Sequence, residues 1–167
     1  WTNQAFRNSQ VDLAFRLAHV QQVRYSETGN VGTELTRLQN PSDGFMDEIH
    51  ALRDTYAADI VSMWFEGQGW GGVGGQAWGS IGVDKAFNVC SSSVDFGASW
   101  ISHCFAHECG HNMGCGHARD QDQHPGPSHA FPDYGAGWRW TDRSNNTQWR
   151  SVMAYDPGTR TQHYSNP

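Results

Sequence analysis

Apolar and polar positions recur with different periods along the chain, and the changes of period divide it. Residues 1–9 (WTNQAFRNS) read as a short helix closed by Asn8 and Ser9. From Val11 to Val20 the period is two. Val11, Leu13, Phe15 and Leu17 share one parity, the mark of a half-buried strand. His19 has the same parity and reads as a half-buried structural histidine. Residues 26–33 (SETGNVGT) carry turn formers and read as a loop. Pro41-Ser42-Asp43-Gly44 opens a second helix, in which Phe45, Ile49, Leu52 and Tyr56 form one apolar face and His50 falls into solvent. Residues 58–65 (ADIVSMWF) are nearly continuously apolar over a strand's length, as a buried central strand requires.

Residues 66–82 (EGQGWGGVGGQAWGSIG) have too many glycines for a packed element. They read either as a loose surface loop or as an edge strand over Gly75-Gln76-Ala77-Trp78-Gly79-Ser80 with its backbone open to a peptide. Residues 85–89 (KAFNV) resemble one more short strand. Residues 100–113 form a helix capped by Ser99 or Ser102 and docked on the sheet through Trp100, Ile101 and Phe105. Residues 118–148 are rich in Gly, Pro, Asp and Trp, have little period, and read as irregular.

The chemistry concentrates where that helix ends. His107-Glu108-Cys109-Gly110-His111-Asn112-Met113-Gly114-Cys115-Gly116-His117 reads H-E-x-x-H-x-x-G-x-x-H. Histidines four apart lie about 40° apart around a helix, so His107 and His111 leave one face. Glu108 lies beside that face, within reach of a water on a metal held there. Gly114 lets the chain turn through a positive φ and bring back His117 as a third nitrogen. Three imidazoles leave one position of a tetrahedral zinc open, the arrangement of a catalytic site. A His-rich helix end would match by chance on the order of 1 time in 10,000 for this composition. His103 lies near the ligand face and reads as a supporting residue.

Composition removes other classes. The chain has 167 residues, a net charge of −6 and no basic run, which argues against nucleic acid or an anionic membrane as partner. No apolar run approaches the ~20 residues of a membrane span. Trp1 in place of an initiator Met suggests a processed chain whose targeting segment is gone. Low charge with abundant Gly and Trp suits a secreted enzyme. Four cysteines allow three pairings. Local pairing, Cys90 with Cys104 and Cys109 with Cys115, is the expectation. Asp120, Asp122 and Asp133 match no calcium-loop spacing, so calcium is possible but unsupported.

The zinc motif followed by Ser151-Val152-Met153-Ala154-Tyr155 resembles the metzincin metallopeptidases, in which a methionine turn lies under the zinc ligands. Together with TNQAFRNS, LAHVQQVRYSETG, DGFMDEIHALRDTYAADIV, CFAHECGHNMG and HYSNP, it is similar to the reprolysin-like bacterial peptidyl-Asp metalloendopeptidases through most of the chain. The resemblance implies one α+β (mixed α/β) catalytic domain with a twisted mixed sheet and an active-site helix. Residues 1–117 would form an upper subdomain and residues 118–167 a loop-rich lower one holding the turn. There are departures. The family's first strand and C-terminal helix have no counterpart, Ala118 stands where an Asp is usual, and Cys109 and Cys115 are uncommon. Asp120 is the residue placed to stand in for that Asp.

The resemblance implies a secreted, monomeric endopeptidase with one zinc on His107, His111 and His117, acting on protein or peptide substrates. Glu108 would be the general base and Met153 the floor. Tyr155 would reach the metal or the developing oxyanion. Substrate would lie along Gly75, Gln76, Ala77, Trp78 and Gly79. The family cuts on the amino side of Asp. The segment after the methionine turn would then supply the carboxylate's partner, Arg160, with His163 as second donor and Arg139 or Arg143 as alternatives. Two rival readings are a metzincin acting on glycoproteins or cell-wall peptides, and a non-catalytic binding module. An intact Glu108 argues against the module.

Overall fold

The computed structural model of the chain describes residues 1–66, 72–79, 82–92, 98–126 and 134–164, with residues 98–102 described by backbone alone. Its centre is β3 (Phe87–Ser91), buried at every position. β1 (Val61–Phe65) pairs with β3 in parallel, and β2 (Gly75–Ala77) pairs with it antiparallel on the other side, giving the order β1-β3-β2. A 3-10 turn (Val83–Lys85) leads into β3. The side-chain alternation of β3 divides the core. Phe87 and Val89 join an apolar cluster with Val31, Leu35, Leu38, Met63 and Phe65. Asn88 and Cys90 face the other layer, the active-site helix α4 (Ala98–Asn112). There the Asn88 amide donates to Asn112 Oδ1 at 2.9 Å, and the Asn112 amide faces the Trp78, Lys85 and Phe87 carbonyls at 3.2, 3.1 and 3.0 Å. A buried amide pair satisfied on both sides thus fixes the end of α4 over the sheet.

Two helices cover the first cluster. α2 (Val31–Gln39) begins at Asn30, whose side chain accepts from the Thr33 amide, and buries Val31, Leu35 and Leu38. The turn formers of residues 26–33 hid this helix, although the Asn cap and the i, i+4, i+7 spacing of its apolar residues announce it. α3 (Glu48–Thr55) is shorter than its apolar stripe suggests. Residues 41–47 are turns that end with Gly44 donating to the Asp47 carboxylate at 3.2 Å, and of the face only Ile49 is fully buried. Phe45 lies under the Arg37 guanidinium at 3.7 Å instead. His50 is half-buried against Phe87 at 5.4 Å and is not in solvent.

Two other expectations change. Residues 11–20 form no strand, and Val11, Leu13 and Leu17 are exposed. A strand needs a neighbouring backbone as well as alternation, and the hydrogen bonds of this run reach only nearby residues. Phe15 exchanges two bonds with the Asn3 side chain, at 2.7 and 2.9 Å. His19 is exposed and stacks on Tyr56 at 4.1 Å, so it is not a half-buried structural residue. The apolar run of residues 58–65 does supply β1, but as an edge strand. A cavity of about 690 Å³ separates it from residues 19–27. Continuous hydrophobicity here reflects packing on both faces, with Phe65 in the core and Trp64 stacked on Phe105 at 6.0 Å, and says nothing of the edge.

The remainder closes around α4. α1 (Thr2–Asn8) packs on it through Phe6, which stacks with Tyr164 at 5.3 Å, and the Tyr164 hydroxyl donates to the Ala106 carbonyl at 2.7 Å. The described parts of residues 118–148 are less irregular than their sequence suggests. β4 (Gly116–Ala118) pairs with β5 (Ala136–Gly137), and β6 (Arg139–Asp142) forms a hairpin with β7 (Thr147–Arg150). The hairpin turns at Asn146 with φ +57°, and β7 pairs in parallel with β8 (Thr159–Arg160). Strands of two to four residues are too short for a period to show. Among the described residues no helix is long and apolar enough to cross a membrane.

Glu34 of α2 is fully buried and holds the extended segment before it. Tyr25 donates to one oxygen, and the Thr28 amide and hydroxyl donate to the other at 2.6 and 2.7 Å. Glu34→Ala removes the acceptor of three part-buried hydrogen bonds and is expected to cost about 2 kcal/mol in a denaturant titration, with Glu34→Gln losing less.

Candidate metal centre

Two turns of α4 and one glycine assemble the site. His107 and His111 leave the same face of the helix. Gly114, at φ +93°, ends it, and the Cys115 amide returns to the Gly110 carbonyl at 2.8 Å. β4 then carries His117 back, so that the Nε2 atoms of His107 and His111 each lie 3.1 Å from His117 Nε2.

The second nitrogen of each ring settles what these contacts are. His107 Nδ1 donates to the Val152 carbonyl at 3.0 Å, His111 Nδ1 to Cys115 at 2.7 Å, and His117 Nδ1 to Gln123 at 2.8 Å. A carbonyl accepts only, so each Nδ1 carries the proton and each Nε2 is a lone pair. Burial, and next the neighbouring imidazoles, hold His107 well below the ordinary range and His111 at about 4; burial also lowers His117. Three neutral rings therefore point lone pairs at one another at contact distance. That arrangement is repulsive unless a cation sits between them, and nitrogen-only donors in this geometry suit zinc. The donor set fits the metal. Among the described residues this triad is the one such convergence of His, Cys, Asp or Glu. Asp120 and Asp122 take no part in it, and Asp133 lies outside the described residues.

Glu108 is buried on the β2 side of the triad. Burial, and next Cys104, push its carboxyl well above the ordinary carboxylate range. A Cβ placed on Gly75 would lie 2.8 Å from Glu108 Oε1, 2.5 Å from Cys104 Sγ and 2.9 Å from the Val89 carbonyl. Strand β2 thus lies directly on the carboxyl group. The inward hydrogen bonds of this strand fall at Gly74 and Trp78, so by alternation Gly75 and Ala77 turn their backbone groups to the open edge. The Gln76 side chain leans toward Gly32 instead, and Trp78 lies under the Lys85 ammonium at 4.4 Å. Ser80 lies outside the described residues.

Below the triad, Met153 is buried against Gly110, where a Cβ would overlap its sulfur. Tyr155 has its ring 4.4 Å from that of His117 and 5.4 Å from that of His107. Burial, then Glu108, push its hydroxyl up to about 12. The residue that ties the third ligand to this turn is Gln121, which sequence reasoning passed over. Its Oε1 accepts from both the Ala118 and the Tyr155 amides at 3.0 Å. Asp120, the expected substitute for an acid after His117, pairs with Arg139 at 2.7 Å. Nothing in the sequence marks Gln121, because a glutamine in a loop carries no period.

Arg160, half-buried on β8, is within electrostatic reach of His103, His107 and Tyr155. Burial and then Arg150 lower it to about 10, so it stays cationic at neutral pH. The other candidates are elsewhere. Arg139 donates to Asp120 and the Tyr155 carbonyl, and Arg143 is exposed beside the hairpin turn. His163 is exposed and lines a cavity with Arg119, Tyr134, Trp138 and Trp140. His103 meets the edge of Trp1 at 4.4 Å and is held neutral, at about 4, by burial and then by Arg160. Metal analysis checks the centre. Glu108→Gln is expected to keep one zinc per chain and His111→Ala to lose it; stoichiometric zinc in the His111→Ala protein would overturn the ligand set.

The comparisons agree with this geometry. Residues 2–165 match metallo-peptidase family M12. A peptidyl-Asp metalloendopeptidase of Stenotrophomonas maltophilia is 32% identical over 99% of this chain and 38% of its own length. One of Xanthomonas campestris is 32% identical over 99% of the chain and 37% of its own length. One of Pseudomonas fragi is 28% identical, over 99% and 82%. The chain therefore spans less than two-fifths of the first two relatives. With its zinc motif, the turn beneath it and a match running nearly end to end, the chain belongs to metallo-peptidase family M12.

Proposed function

We infer that this chain is the catalytic domain of a secreted zinc endopeptidase that cuts on the amino side of aspartate. The observation that carries the reading is the convergence of three Nε2 lone pairs, each fixed by a carbonyl behind it, beside a buried carboxyl group. When bound, zinc supplies the Lewis acidity that polarises a carbonyl and lowers the pKa of a water to about 7. Glu108 accepts the proton of the attacking water and passes it to the leaving amine. The Tyr155 hydroxyl, protonated throughout the neutral range, donates to the oxyanion as it develops. The outward backbone groups of Gly75 and Ala77 pair with an extended substrate, as a further strand would.

Three variants separate these roles in steady-state kinetics on a peptide substrate. Glu108→Gln is expected to lose at least about 1,000-fold in kcat with its metal retained. Tyr155→Phe loses about 10- to 100-fold, mostly in kcat; unchanged constants would remove the hydroxyl from the mechanism. In Gly75→Ala the new methyl group displaces the Glu108 carboxyl, so kcat falls about 100-fold while zinc stays bound.

The aspartate preference rests on the names of the relatives together with Arg160, a half-buried cation beside the centre. A pocket that takes in a carboxylate must replace its hydration with donors, and a guanidinium does so through two parallel bonds. A matched pair of peptides with Asp or Asn after the scissile bond is expected to differ about 10- to 100-fold in kcat/KM. Arg160→Ala shrinks that difference without releasing zinc. Equal cleavage of both peptides by the unmodified enzyme would sink the aspartate assignment and leave the peptidase.

A further inference from the structure

All four cysteines are free thiols in this structure, and three of them lie buried in the core, Cys90 on β3 and Cys104 and Cys109 on α4. Their surroundings differ. The Cys109 sulfur lies 3.6 Å from Asn88 Nδ2, which donates toward it. Cys115, the partner expected for Cys109, packs instead against the cluster of Ala5, Phe6, Val152 and Tyr164. Cys104 Sγ lies 3.2 Å from the Gly74 carbonyl and directly against Gly75. Gly75 is the residue opposite Cys90 in the β2–β3 ladder. The sulfur of Cys104 therefore rests on the residue opposite Cys90 in the ladder.

We propose that Cys90 and Cys104 are the two halves of an intrachain disulfide that ties α4 to the central strand immediately behind Glu108, and that Cys109 and Cys115 remain thiols. The bond forms by exchange with a disulfide of the glutathione class. One cysteine thiolate attacks the oxidant and expels a thiolate. The second cysteine attacks the mixed disulfide and expels the other. Two S–H bonds become one S–S bond, and the oxidant leaves as two thiols that carry the two protons and two electrons. Both sulfurs are sealed in the finished fold, so the exchange belongs to folding, before β2 covers them. The bond closes the loop of residues 91–103, which restricts the unfolded chain. It also anchors the turn of α4 that ends at Glu108, four residues after Cys104 and on the same face. This site does not depend on the substrate reading.

The test is made on the full chain, reduced in denaturant and folded with zinc in a buffer of reduced and oxidised glutathione. The folded monomer is isolated by gel filtration, alkylated under denaturing conditions at low pH, and mapped by mass spectrometry without reduction. Two alkylated cysteines, Cys109 and Cys115, are expected, with a linked pair of peptides carrying Cys90 and Cys104 and lighter by two hydrogens. Chain folded and melted under reductant throughout should have a Tm lower on the order of 10 °C than chain folded in the glutathione buffer. The Cys90→Ser, Cys104→Ser double variant should show no such response. Four alkylated cysteines in the folded fraction, or a bond that involves Cys109 or Cys115, would overturn the proposal. The mapping on the unmodified chain decides even where the double variant does not fold. None of these readouts is peptide hydrolysis, so the disulfide and the peptidase assignment fail separately.

Discussion

Three carbonyl oxygens decide this molecule. Each imidazole of the triad is oriented by one of them, and the three come from separate stretches of chain: Val152 in the methionine turn, Cys115 in the turn after α4, and Gln123 beyond β4. A histidine free to rotate and to exchange tautomers is a poor ligand. The carbonyls remove both freedoms at once, and the cost of bringing three lone pairs together is met by the fold before any metal arrives. The rest of the lower half is arranged to hold those carbonyls in place. Gln121 fastens the strand of His117 to Tyr155, Ser151 bonds across to Trp138, and the Val152 amide bonds to the His163 carbonyl at 2.8 Å.

The upper half answers a different requirement, which is to keep one helix immobile. α4 is clamped at its end by the Asn88–Asn112 pair and along one side by Tyr164 and Phe6. Polar and apolar clamps are not interchangeable here. The apolar cluster supplies most of the free energy but leaves a helix free to slide by small amounts. The buried amides bond in one register only, and a shift would strand them at a cost of about 1–3 kcal/mol each. Polar groups in the core therefore fix the position of Glu108 and the two helical ligands, and apolar groups fix the existence of the layer.

How much of this the sequence disclosed follows from how local each feature is. The triad, Glu108 and the Gly114 turn were legible because one helix and one glycine generate them, and spacing alone is enough. Gly75 to Ala77 as an edge strand was one of two open readings, since glycines speak equally for a loop. The strand expected over residues 11–20 failed because alternation describes a face, while a strand also needs a partner, and pairing is non-local. Helix α2 was missed through its turn-forming first residues, although its cap and spacing were both present. Gln121 and the carbonyls behind the histidines had no sequence signal at all. Any residue has a carbonyl, and only the fold says where it points.

Three glycines have the same origin. Three segments reach the centre by backbone, and each has glycine where it touches. Gly75 lies on Glu108, Gly110 lies on Met153, and a Cβ on Gly137 would come within 2.8 Å of the Met153 carbonyl and 2.9 Å of the Ala118 amide. The neighbours are the carboxyl group of Glu108, the Met153 side chain under the triad, and the backbone beside Met153 and His117, so a methyl group would press on the centre and not on the surface. A site built from side chains tolerates such changes by repacking rotamers. One built by direct backbone approach does not, because backbone shifts travel along the whole element. Glycine at Gly75, within a run that also read as a loose surface loop, and at Gly110 and Gly137 is the condition for three segments to meet around one small volume.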